Sequence, residues 1–135
     1  MDIQVRERDG ITILKPEGRL VLGTVEAFRE RVTQLAAEGR VNQVIDLGAV
    51  QYIDSTGLGG LVICYNALKK AGGNLRMFNL NKRNVELLAL TRLHQVFEVF
   101  TDEDDAVNSF FPERKVSRFD ILAFVQSQQA RDEDE

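Results

Sequence analysis

Asp54-Ser55-Thr56-Gly57-Leu58-Gly59-Gly60 joins a short apolar run, Val41 to Leu47, to the long apolar segment that follows it. The run before it fits a buried central strand, and the segment after it, to about Lys70, has helical spacing and stops at Gly72-Gly73. Asp, Ser and Thr are favoured where a helix begins, because their oxygens accept from N–H groups that lack an intrahelical partner. Asp54 or Ser55 serves as that cap. Three glycines then fall in the first turns, where each costs on the order of 1 kcal/mol relative to Ala. Helix stability alone does not select them. They imply a low surface beside two hydroxyls, which another backbone or a macromolecular partner can approach closely.

Outward from this stretch the pattern is α/β. Ile3 and Val5, then Ile11 and Ile13, alternate with polar residues around Asp9-Gly10, a hairpin signal. Gly18 precedes Thr24, an N-cap candidate for a helix with Val25, Phe28, Val32 and Leu35 on one face, ending near Gly39. Asn74 to Leu80 reads as a strand, and Asn81 caps a helix carrying Val85, Leu87, Leu88 and Leu90. Val96 to Phe100 reads as the last strand, followed by a short acidic helix capped by Thr101-Asp102 and reaching Phe110. The order ββαβαβαβα predicts a mainly parallel sheet after an antiparallel opening. Beyond Pro112, residues 112–130 predict a helical extension with Val116, Phe119, Leu122 and Ala123 on its apolar side, either folding back on the domain or pairing with a second copy as a homodimer. The acidic tail, residues 131–135, is expected to be disordered.

Composition narrows the chemistry. The 135 residues suit one domain with a tail, and the net charge of −4 without a basic patch argues against nucleic acid as a partner. No apolar run reaches the roughly 18 residues of a membrane span, and the charged, alternating N-terminus is unlike a signal peptide, so a cytoplasmic protein without membrane insertion is expected. One cysteine, Cys64, excludes an internal disulfide and a multi-thiolate metal site. The single histidine, His94, has no ligand or acid at useful spacing. With no Gly-x-Ser-x-Gly elbow and no Walker loop, the expectation is a protein that is not an enzyme, with no cofactor and no metal.

Two carboxylates frame the hydroxyls. Asp54 reads equally as a cap and as an acceptor that orients the Ser55 hydroxyl or meets a partner. Asp46, inside an apolar run, needs a hydrogen-bond partner or an exposed end, and is expected at the strand's exit near the Ser55 loop. Thr56 is a second hydroxyl, facing or capping the helix.

Val44-Ile45-Asp46-Leu47, a six-residue loop and Asp54-Ser55-Thr56-Gly57-Leu58-Gly59 together resemble the signature of the STAS domain as found in bacterial anti-sigma factor antagonists. The likeness extends over about residues 2 to 111, including Leu90-Thr91-Arg92-Leu93. It implies a mixed sheet with helices on one side. It also implies that Ser55 is the residue phosphorylated by a serine/threonine kinase that doubles as the anti-sigma factor, and dephosphorylated by a PP2C-type phosphatase. The unphosphorylated form then binds the kinase and frees the sigma factor, a partner switch in signal transduction. By the same resemblance the partner-binding set is Val21, Thr24, Asp54, Ser55, Thr56, Gly57, Leu58 and Gly59, with Asp46 in support. Many members carry an Asp where this chain has Val21, so docking there would fall to Arg19 or Thr24. A STAS-like accessory subunit of a transport complex, or a scaffold in a sensory assembly, is the alternative reading.

Overall fold

The computed structural model describes residues 1–134, the last three by backbone alone. Asp9 and Gly10 both adopt positive φ (55° and 81°), the requirement of a two-residue hairpin turn that matches strand twist. They join β1 (Ile3–Arg8) to β2 (Ile11–Pro16) in antiparallel register, with Arg8 opposite Ile11. The remaining elements follow as β3 (Gly18–Leu20), α1 (Val25–Ala37), β4 (Asn42–Asp46), β5 (Val50–Ile53), α2 (Ser55–Lys70), β6 (Asn74–Phe78), α3 (Lys82–Leu90), a 3-10 turn at Leu93–Gln95, β7 (Glu98–Phe100), α4 (Glu103–Asn108) and α5 (Ile121–Asp134). One sheet has the order β1-β2-β4-β6-β7, parallel from β2 onward, and a second pairs β3 with β5 in parallel.

Register explains the two cores. Leu14, Ile45, Met77 and Val99 form one row across the large sheet, and Ile13, Val44, Arg76 and Glu98 form the adjacent row. Successive strand residues point to opposite faces, so the two rows lie on opposite sides. The first row packs with Phe28, Val32 and Leu35 of α1, Leu61, Cys64 and Leu68 of α2, and Val85 and Leu88 of α3. The second packs with Ala106 and Val107 of α4, Phe110 and Phe111. The expectation of helices on one side thus holds for α1 to α3, while α4 covers the other face and is tied to β1 by ion pairs from Arg6 and Arg8 to Glu103.

The last part of the chain departs from expectation. Val116 to Phe119 is not helical: the Phe119 N–H donates to the Val99 carbonyl (3.0 Å), and Arg118 bridges antiparallel to Phe100. The helix begins only at Ile121, after Asp120, whose Oδ1 accepts from the Ala123 N–H (3.0 Å). Phe119 and Ile121 join the main core, so the extension folds back on the domain, and α5 lies against α3. It continues through Asp134, where a disordered tail is expected from Arg131; Glu135 lies outside the described residues.

The small sheet of β3 and β5 was not foreseen as strands at all. Three- and four-residue strands carry too little alternation to register as a pattern, yet this pair leads straight into α2 and sets its N-terminus.

Candidate functional site

The N-terminus of α2 is held by one residue. Asp54, in extended backbone, caps the helix through Oδ1, which accepts from the Gly57 N–H at 2.7 Å. Its Oδ2 accepts from the Leu22 N–H at 3.2 Å, its own N–H donates to the Leu20 carbonyl at 3.2 Å, and its carbonyl accepts from Leu58 at 2.9 Å. Asp54 therefore links β3, the loop before α1 and the first turn of α2. Both carboxylate oxygens are engaged by backbone N–H groups, which makes the residue a cap and a clasp.

The three glycines divide. A Cβ on Gly57 would stand 1.9 Å from the Leu20 carbonyl oxygen, and one on Gly60 would stand 2.2 Å from a Val25 methyl carbon. These two let α2 approach β3 and α1. Only at Gly59 is the added carbon in open space. Gly57 and Leu58 are buried, so of the residues expected to meet a partner they lie beneath the surface, and Ser55, Thr56 and Gly59 form it.

Thr24 occupies the N-cap position of α1 without capping it by its side chain. Its Oγ1 instead donates to the Arg19 carbonyl at 2.6 Å and accepts from the Val21 N–H at 3.0 Å, which pins the loop beside Ser55. Asp46 is mostly buried at the end of β4, where Oδ1 accepts from the Gly48 N–H (2.9 Å) and from Asn79 Nδ2 (3.3 Å). Those bonds shape the turn after β4; none joins Asp46 to the Ser55 segment.

Two residues were missed. Leu22 is 74% exposed although its backbone is clasped by Asp54, and Ile63 is 48% exposed two helical turns beyond Ser55. Ser55, Gly59 and Ile63 recur at intervals of four along α2 and so share one stripe. Leu22 lies in the loop before the buried set Val25-Phe28-Val32-Leu35 of α1, and Ile63 stands outside the buried set Leu58-Leu61-Cys64-Leu68 of α2; that misfit was the available signal. The surface thus carries two exposed hydroxyl residues, Ser55 and Thr56, with exposed apolar side chains on the clasped loop, Leu22, and farther along α2, Ile63.

Other chemistry finds little footing. Burial pushes the Cys64 thiol up to about 12, against a weaker pull downward from Arg29, so it stays protonated near neutrality. Among the described residues no group of three or more His, Cys, Asp and Glu side chains is placed to hold a metal ion, and no helix is long and apolar enough to cross a membrane.

Comparison with known proteins agrees with this architecture. The chain is 28% identical over 107 residues to the anti-sigma-B factor antagonist of Bacillus subtilis, covering 79% of this chain and 97% of that one. It is 32% identical over 106 residues to the anti-sigma-B factor antagonist of Listeria monocytogenes, covering 73% and 86%. The crystal structure of an anti-sigma factor antagonist from Mycobacterium paratuberculosis superposes with a TM-score of 0.72 at 26% identity, over 80% of this chain and 92% of that one. The STAS domain model matches residues 2–106, from the strand edge before β1 into α4, and the chain belongs to the STAS domain family.

Proposed function

We propose that this protein is an anti-sigma factor antagonist that works by binding, and that phosphorylation of Ser55 switches the binding off. The observation that carries the reading is the exposed Ser55 hydroxyl at the first position of α2, on a surface whose loop and helix are clasped together by Asp54. The similarity to antagonists in two genera gives the partner class, an anti-sigma factor. In this reading that partner is also a serine/threonine kinase, and a PP2C-type phosphatase resets the switch.

A phosphate brings roughly −1.5 to −2 charges to Ser55, where the helix dipole and the N–H groups of the first turn tolerate it. The fold is therefore kept. In a complex the same charge lies on the surface that carries apolar Leu22 and Ile63 and has to be desolvated. A hundredfold loss of affinity requires only about 2.7 kcal/mol.

The test is a pull-down with wild type and Ser55→Ala from the source bacterium, followed by incubation of the captured kinase with ATP and mass spectrometry. Phosphate is expected on Ser55 and absent from the variant. Ser55→Asp should weaken binding by at least about tenfold while its melting temperature stays within a few degrees of wild type. Phosphate on another residue, or equal binding by the Asp variant, would sink the reading.

A further inference from the structure

Beside the Ser55 surface, Arg19 of β3 and Arg83 of α3 line one open cleft together with Gln51 and Tyr52 of β5. The Arg83 guanidinium lies over the Tyr52 ring, 4.2 Å from its centroid, and Arg19 is the register partner of Tyr52. Arg8, Arg40, Arg76 and Arg114 each hold a carboxylate. Arg19 and Arg83, like Arg31 and Arg92, hold none among the described residues, and no acidic residue lines the cleft that the first two share. Two uncompensated guanidinium groups thus converge on one spot of a protein whose net charge is −4.

We infer that this cleft receives an acidic side chain, or a short acidic run, of the protein partner that docks on the Ser55 surface. The inference rests on the function proposed above and names the chemistry of the partner's contact segment. Stacking on Tyr52 holds one planar guanidinium ready for a bidentate carboxylate, and Arg is the side chain best suited to that geometry. The cleft is open and both arginines are exposed, so a small free anion would stay largely hydrated there, whereas a tethered carboxylate arrives with the rest of an interface.

Its position also accounts for the sign of the switch. Thr24 hydrogen-bonds the Arg19 carbonyl, so the loop bearing Leu22 is tied to the strand that carries Arg19. Tyr52 precedes Ser55 by three residues, a span of at most about 10 Å between α-carbons, comparable to a Debye length at physiological salt. A phosphate on Ser55 repels the acidic segment and competes with it for the same two guanidinium groups.

The full chain, labelled with nitrogen-15, is titrated in the NMR spectrometer with hexaglutamate, hexalysine and inorganic phosphate at about 20 mM and 200 mM salt. Hexaglutamate should shift Arg19, Tyr52 and Arg83 saturably, more weakly at high salt, while hexalysine shifts none of them. Arg19→Gln with Arg83→Gln should abolish the effect, and Ser55→Asp should weaken it roughly fivefold. Equal shifts with phosphate at the same concentration would mark a site for free oxyanions and overturn the inference, as would shifts scattered over other residues or an unaltered response in Ser55→Asp. The captured anti-sigma factor separates the two levels. Should it bind the Arg19→Gln, Arg83→Gln variant as tightly as wild type, the acidic-contact inference falls and the function stands. Should no anti-sigma factor bind wild type while hexaglutamate still fills the cleft, the function falls and the acidic site stands.

Discussion

Helices α2 and α3 begin with the same chemistry and end up with different roles. Asn81 caps α3 as Asp54 caps α2, its Oδ1 accepting from the Asn84 N–H at 2.8 Å. At α3 the remaining polar atoms turn inward: Asn81 Nδ2 donates to the Gln51 carbonyl, and buried Asn84 donates to the Val50 carbonyl, both at 3.0 Å. That N-terminus is a tether to β5. At α2 the second carboxylate oxygen reaches sideways to Leu22 and not to a strand; the two residues after the cap are exposed at both ends, hydroxyls Ser55 and Thr56 at α2 and cations Lys82 and Arg83 at α3. A cap by itself carries no function; the direction of the side chains around it decides whether a helix end is an anchor or a binding surface.

The comparison can be broken most directly at the glycines. Gly57→Ala forces a carbon against the Leu20 carbonyl, a backbone atom that cannot swing away, and should destabilise by about 2–4 kcal/mol in urea unfolding. Gly59→Ala faces open space and should instead stabilise by about 0.5–1 kcal/mol through helix propensity. If both substitutions behaved alike, the division between packed and open glycines would be wrong.

The caps come next. Asp54→Ala and Asn81→Ala should each cost about 1–2 kcal/mol, since each loses a cap and a second bond. Asp54→Ala should also lower the affinity for the anti-sigma factor, by calorimetry, and by more than Asn81→Ala does, because it releases the Leu22 loop whereas the Asn81 cap reaches only the rim of the Arg83 cleft. A similar loss of affinity in Asn81→Ala would erase the distinction between anchor and surface.

The smallest effect lies on the inner side of α2. The folded-state thiol of Cys64 is raised from its ordinary 9.0 to about 12, so the unfolded chain deprotonates first. The stability linked to the neutral thiol is complete below pH 9 and is lost as pH rises toward 12. Urea midpoints of wild type and Cys64→Ala should therefore keep a constant gap up to about pH 8.5 and converge above it. A gap that stays constant into alkali would mean that water reaches this face, since the folded and unfolded thiols would then titrate alike.

Much of this was legible in the chain. Helix α2 ran between the expected limits because Asp54 at its start and Gly72-Gly73 after its end are strong local signals, and the Asp9-Gly10 hairpin was equally explicit. Local chemistry could not give the long-range facts. The glycines of the signature suggested an open surface, yet two of them serve contacts with Leu20 and Val25, distant in sequence from α2. Asp46 was placed by its polarity at a strand exit, which it occupies, but its partner Asn79 is brought in by the pairing of β4 with β6. Val116 and Phe119 had helical spacing yet are not helical, since Arg118 and Phe119 pair with β7 instead.

That last pairing bears on how the molecule behaves in a crowd. β7 is an outer strand, and an uncovered outer strand offers a row of backbone groups to any other chain. Arg118 and Phe119 occupy part of that row, while the opposite margin, β1, presents alternating charged side chains that discourage strand addition. The segment beyond the matched domain thus covers part of that outer strand, and chains cut after Phe111 should aggregate more readily than the full chain.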